Sequence, residues 1–62
     1  MMFISRIDLP MVYFGQWILA NELPVPVWTD LEEMKLYPSP EDAAEDMLRL
    51  TRLGYAIVLE DQ

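Results

Sequence analysis

Residues 37–59, YPSPEDAAEDMLRLTRLGYAIVL, constrain the fold more tightly than any other stretch, because nearly every position favours the same local structure. Ser39 is a favoured N-cap, and Pro40 follows it where a missing N–H has no intrahelical partner to lose. Glu41 and Asp42 lie in the first turn, where the helix dipole favours negative charge, and Asp42 holds the capping-box position. Ala43, Met47 and Leu50, with Ala44 and Leu48 beside them, form an apolar stripe at helical spacing. Gly54 suits the left-handed step that ends a helix. Tyr55 to Leu59 is a continuous β-favouring run, expected to be a strand buried on both faces or lying centrally. The spacing therefore predicts a helix over about residues 40–53, a tight return through Gly54, and a final strand against that helix. Glu60, Asp61 and Gln62 read as a solvated end.

A second constraint comes from Leu23-Pro24-Val25-Pro26-Val27-Trp28. Residues two apart in a strand direct their N–H groups to the same side. Pro24 and Pro26 therefore delete donors along one edge only, and Val25 and Val27 keep theirs for the other. If extended, this segment is an edge strand or a polyproline-like lead-in, never a central strand.

The remainder is less regular. Phe3 to Ile7 alternates loosely and reads as a first strand, closed by the turn signal Asp8-Leu9-Pro10. Met11 to Ala20 admits a strand, with Gly15 marking a bulge, or a helix carrying Phe14, Trp17 and Ile18 on one face. Its β-branched and aromatic content favours the strand. Thr29 to Glu33 reads as a polar turn, and Met34 to Tyr37 as a short strand stopped by Pro38. Together these give one α+β domain over residues 1–62: a small, mainly antiparallel sheet of three to four strands with one main helix on one face.

Composition narrows the function. The chain has 62 residues, no cysteine and no histidine, which removes disulfides and ordinary zinc sites. A domain this short hides only about 60% of the surface its unfolded chain exposes. Yet 53% of its residues are hydrophobic, including two Trp, three Tyr, two Phe and five Met. Association with a partner or a second copy is the remaining way to cover such surface. Eleven acids against four bases give a net charge of −7, which argues against direct nucleic-acid binding and against an anionic membrane. No leader-like segment opens the chain, and the most apolar run, Leu9 to Ala20, is interrupted by Pro10, Gly15 and Gln16. Absence of cysteine fits a cytoplasmic setting.

Few residues offer chemistry. Nucleophiles reduce to Ser5, Ser39, Thr29, Thr51, Lys35 and the tyrosines. Gly15 and Gly54 form no phosphate loop, and Asp30, Glu32 and Glu33 match no calcium-loop spacing. No enzyme activity, cofactor or metal is expected. The acids Glu41, Asp42, Glu45 and Asp46 read either as a solvated helix face or as an anionic docking surface. Arg49 and Arg52 complement the dipole, but Asp42 with Asp46 and Glu41 with Glu45 are like-charge i,i+4 pairs that a helix optimised for stability alone would avoid. Trp17, Trp28, Tyr13 and Tyr37 are residue types enriched at interfaces; Trp17 suits core or interface equally, while Trp28 follows the blunted edge.

The expected function is a small acidic, non-catalytic protein-binding module that modulates or inhibits a larger partner with a basic surface. Its expected partner-binding residues are Trp28, Trp17, Tyr13, Tyr37, Glu41, Asp42, Glu45 and Asp46. In size and charge alone, the chain resembles the general class of small phage or mobile-element inhibitors, anti-CRISPR-type and polymerase-binding proteins among them, and the resemblance implies inhibition of a host enzyme. A self-associating structural domain closing a homodimer is one alternative. A nucleic-acid mimic, with carboxylates standing in for phosphates, is another.

Overall fold

The computed structural model describes all 62 residues. Strand β1 (Met2–Arg6) is followed by a long hairpin of β2 (Tyr13–Ala20) and β3 (Leu23–Thr29), then helix α1 (Pro40–Arg52) and strand β4 (Ile57–Asp61). The sheet order is β3-β2-β1-β4, antiparallel throughout. Residues 11–20 thus resolve to a strand from Tyr13 onward, and Gly15 does mark a bulge: the β2–β3 register shifts between Phe14 and Gln16. A Cβ on Gly15 would lie 2.9 Å from Thr29 Cγ2, so the close approach of β3 requires glycine there.

The hairpin turn, Asn21-Glu22, carries no glycine, although both residues have positive φ (53° and 66°). Two-residue hairpin loops of this hand match the twist of their strands, and Asn tolerates the left-handed region far better than Glu. The turn fixes the pairing. Ala20 opposes Leu23, so Leu19–Pro24 and Trp17–Pro26 fall at the non-hydrogen-bonded positions. Both prolines direct their missing donors outward, and β3 is the sheet edge its sequence predicts.

Helix α1 begins after an extended Ser39, as its sequence predicts, but Ser39 Oγ makes no hydrogen bond to a first-turn N–H. It donates to Asp42 Oδ2 at 2.8 Å instead. The other end follows the double hydrogen-bond pattern of a glycine stop: Gly54 N–H donates to Thr51 O and Tyr55 N–H to Leu50 O, with Gly54 at φ 96°. That turn consumes Tyr55 and Ala56, so β4 starts only at Ile57. The strand is neither central nor buried on both faces as predicted; it is the second edge, covered by α1 on one face alone. The end expected to be solvated joins it, with Glu60 opposite Phe3 and Asp61 opposite Met2.

β1 and β2 pair only at Ser5–Tyr13 before they splay. Residues 34–37 fill the opening, with Lys35 N–H donating to Phe14 O and Met2 and Tyr37 exchanging backbone bonds of 2.7 and 2.8 Å. The short strand predicted there is reduced to that single bridge. Over the splay sits the core: Ile4, Phe14, Tyr37, Ala43 and Leu50, with Met2, Trp17, Trp28, Met47, Tyr55, Ile57 and Leu59 packed around it. No helix is long and apolar enough to cross a membrane.

Candidate functional site: an uncovered sheet face and a committed helix face

The sheet has two unequal sides. Met2, Ile4 and Arg6 alternate onto the α1 side with Ile57 and Leu59, and across the bulge Phe14, Trp17 and Trp28 join them. Three clusters tie this side together. Asp46, on the α1 flank facing β2, accepts from Trp17 Nε1 at 2.9 Å, Tyr37 Oη at 2.5 Å and Lys35 Nζ at 3.0 Å. Burial pushes the Tyr37 phenol well above its ordinary value, and the hydrogen bond to Asp46 and that group's charge push it further. For Asp46, burial acts to raise the carboxyl value, but the hydrogen bonds from Tyr37, Trp17 and Lys35 outweigh it and leave a lowered pKa. The phenol stays a donor and the carboxylate an acceptor, so the groups satisfy one another.

In the second cluster the Arg6 guanidinium lies between two rings, 4.7 Å from the centroid of Trp28 and 4.8 Å from that of Tyr55. It donates to both oxygens of Asp8 at 2.8 and 2.7 Å. That pairing raises the Arg6 pKa and lowers that of Asp8. The third is Arg49, 5.3 Å from the Trp17 ring and paired with Glu45 at 3.4 Å. Basic and aromatic groups that are scattered along the sequence are therefore adjacent in space.

These contacts redistribute the predicted site. Tyr37 is only 3% exposed and belongs to the core, so it offers no ring to a partner. Asp46 is withdrawn from the acidic surface; its side chain is 14% exposed and carries three donors. This also accounts for the unfavourable Asp42–Asp46 pair, since Asp46 serves the tertiary contact and not the helix surface. Trp17 and Trp28 are half-buried and engaged, the first under Asp46 and Arg49, the second against Arg6, Phe14 and Tyr55. Glu41, Asp42 and Glu45 remain exposed on α1. Tyr13 alone of the eight lies on the other side of the sheet, its ring edge-on to Phe3 at 5.6 Å.

No element covers that other side. The register places Phe3, Tyr13, Ile18, Val25, Val27 and Val58 across it, with Ile7 and Leu23 at its ends. Ile18 is 47% and Leu23 65% exposed. An antiparallel sheet with one solvated face ordinarily turns polar residues outward; here the hairpin sets Ile18, Ala20, Leu23, Val25 and Val27 outward, with Gln16 and Thr29 polar beside the bulge. The only charged side chain that β1–β4 set on this face is Glu60, which accepts from Ser5 Oγ at 2.9 Å. At the Gly15 bulge the face is indented by a notch of about 250 Å³, lined by Gly15, Gln16, Val27, Thr29 and Glu33. The signal for this face was present in the sequence: Ile18, Ala20, Leu23, Val25 and Val27 alternate with Trp17, Leu19, Pro24 and Pro26, so no register of the hairpin yields a polar face. No protein-family model, curated protein or solved structure is significantly similar to this chain.

Proposed function

We propose that the protein is a non-catalytic binding module that docks on a larger protein through the uncovered face of its sheet, and modulates or blocks whatever that surface does. The observation that carries this reading is the apolar face itself, built from Phe3, Tyr13, Ile18, Val25, Val27 and Val58 with nothing packed on it. A central cluster of aromatic and β-branched side chains, shallowly indented and ringed by solvent, has the anatomy of an interface core. The net charge of −7 selects the partner's rim: an apolar patch fringed by lysine or arginine associates faster and against fewer competitors than a neutral one. Glu33 at the notch and Glu60 on the face itself supply that field.

The homodimer is favoured by one specific observation. Glu41, Asp42 and Glu45 all sit on the far side of the sheet, so two copies stacked face to face would keep their helical acids apart. The nucleic-acid mimic has lost Asp46, whose carboxylate is occupied.

The test is a 1:1 complex purified from the native cell with the unmodified chain, then challenged with Ile18→Asp/Val25→Asp. Both positions are exposed, so the variant keeps its fold by circular dichroism and loses the complex. A folded variant that still forms the complex refutes this face as the docking surface. A purified chain that is itself dimeric, and turns monomeric in the variant, establishes the homodimer in its place.

A further inference from the structure

The two edges of the sheet are treated differently. β3 has outward donors removed by Pro24 and Pro26, whereas β4 contains no proline. Its pairing shows which of its groups are free. Ile7 N–H donates to Ala56 O and Gln62 N–H to Met1 O, and the β1–β4 register continues those pairs through Phe3–Glu60 and Ser5–Val58. Val58 and Glu60 therefore spend their backbone groups on β1. Ile57, Leu59 and Asp61 direct theirs outward, where no hydrogen bond from the rest of the chain meets them.

Above this edge runs one flank of α1. Asp46 and Arg49 mark the flank over β2, through Trp17. The opposite flank, reached by turning about 100° per residue, carries Pro40, Ala44, Met47 and Thr51, with Leu48 beyond. None is charged, and Leu48 is 51% exposed. A strand edge beside an uncharged helix flank is the geometry in which an extended peptide adds to a sheet, with backbone bonds for affinity and alternate side chains for specificity.

We propose that β4 accepts an extended segment of another protein as a fifth strand, apolar at alternate positions under the Ala44–Leu48 flank and basic at those between. The charge at the edge selects this occupant. Glu60 and Asp61 end β4, offset only by the Met1 ammonium 3.7 Å from Asp61. The three cations nearest the sheet, Arg6, Lys35 and Arg49, are already paired with Asp8, Asp46 and Glu45. A second copy would present the same two acids and no lysine or arginine from its own β4. Asp61 lies on the α1 side with Leu59 and has the Met1 ammonium beside it, whereas a lysine on the opposite face of the added strand lies across from Glu60, and a cross-strand pair of that kind is favourable. This surface is distinct from the uncovered face, so either proposal stands if the other fails.

The probe is the end-blocked peptide Lys-Val-Lys-Val-Lys-Val-Lys, titrated into the full-length, isotope-labelled chain and followed by NMR. The result expected is saturable binding, with amide shifts at Ile57, Leu59 and Asp61 and methyl shifts at Ala44 and Leu48. Replacing Leu59 by N-methyl-leucine in the chemically synthesised 62-residue chain removes one outward donor and leaves the β1 bonds intact. It weakens peptide binding about tenfold or more, whereas Ile18→Asp/Val25→Asp leaves it unchanged. N-methylation of Asp61, an exposed residue whose N–H also points outward, gives a loss by a second route if the change at Leu59 perturbs the fold. Binding that survives these changes, shifts confined to Glu41, Asp42 and Glu45, or no saturable binding overturns the proposal. So does a wild-type dimer that N-methylation of Leu59 dissociates, because a second copy then holds the edge.

Discussion

Replacing Asp46 by alanine tests how much of this small fold hangs on a single carboxylate. The substitution removes the acceptor for Trp17 Nε1, Tyr37 Oη and Lys35 Nζ at once. Lys35 is 43% exposed and returns to water, so its share is about 0–1 kcal/mol. The Tyr37 hydroxyl and the Trp17 indole are partly buried, and leaving such donors unmet costs about 1–3 kcal/mol each. Allowing for partial solvent access, the loss is about 2–4 kcal/mol. A 62-residue domain at about 0.05–0.15 kcal/mol per residue holds roughly 3–9 kcal/mol in total, so Asp46→Ala removes a large share of it. Asp46→Asn keeps one oxygen, and the Tyr37 hydroxyl can turn to accept from the new amide; the cost falls to about 1 kcal/mol. Urea unfolding followed by fluorescence of Trp17 and Trp28 measures both variants. The carboxyl is held below its unfolded value near 3.8, so the unfolded chain binds the proton more readily in the window beneath it. Stability from Asp46 is therefore full above about pH 4 and lost as pH falls through the folded value. The gap between wild type and Asp46→Asn should close on that acid limb. A cost below about 1 kcal/mol for Asp46→Ala, or a gap that is flat with pH, refutes the account.

Three further outcomes follow from the backbone. Glu22 holds φ 66° without a glycine's freedom, so Glu22→Gly should raise stability by about 0.5–1 kcal/mol, read as a higher urea midpoint at unchanged slope. Gly15→Ala places a methyl 2.9 Å from Thr29 Cγ2 and should cost about 1–3 kcal/mol; Thr29→Ser deletes that Cγ2, so in a double-mutant cycle it should recover most of the loss. Pro24→Val/Pro26→Val restores two outward donors on β3 and should produce concentration-dependent association by light scattering where the wild type shows none of it through this edge.

The elements legible in the sequence were those specified by residues close together. Pro24 and Pro26 place β3 at an edge because a missing N–H is a local fact with one global solution. Ser39, Pro40 and Gly54 bracket α1 for the same reason. Tyr55 to Leu59 misled because β propensity does not report which faces will be covered; α1 covers one and the sheet order leaves β4 outermost. The Asn21-Glu22 turn carries only half the usual signal, with Asn but no Gly. Asp46 and Tyr37 looked like surface and interface residues because their meaning lies in contacts with Trp17 and Lys35, 29 and 11 positions from Asp46. The Arg6 sandwich joins three segments, and nothing in the residues around Arg6, Trp28 or Tyr55 announces it.

The size of the core bears directly on the docking surfaces. Only Ile4, Phe14, Tyr37, Ala43 and Leu50 are buried hydrophobics, and Ile4 lies in the very strand that pairs with β4. Strand β4 is held by β1 on one side and by α1 above, and of the two sheet edges it is the one with no donor removed by proline. A partner that binds the folded chain and not the unfolded one stabilises it by about 2.7 kcal/mol at one hundred times its dissociation constant. For a domain with roughly 3–9 kcal/mol in all, that is a large fraction of the whole, whereas for a domain three times longer it would be minor. Occupancy of either surface should therefore raise the melting temperature, and occupancy of the β4 edge should in addition slow hydrogen exchange at Leu59, whose N–H points out of the sheet, by more than at Val58, whose N–H is already bonded to β1. A partner on the uncovered face alone raises the melting temperature without that contrast between neighbouring amides.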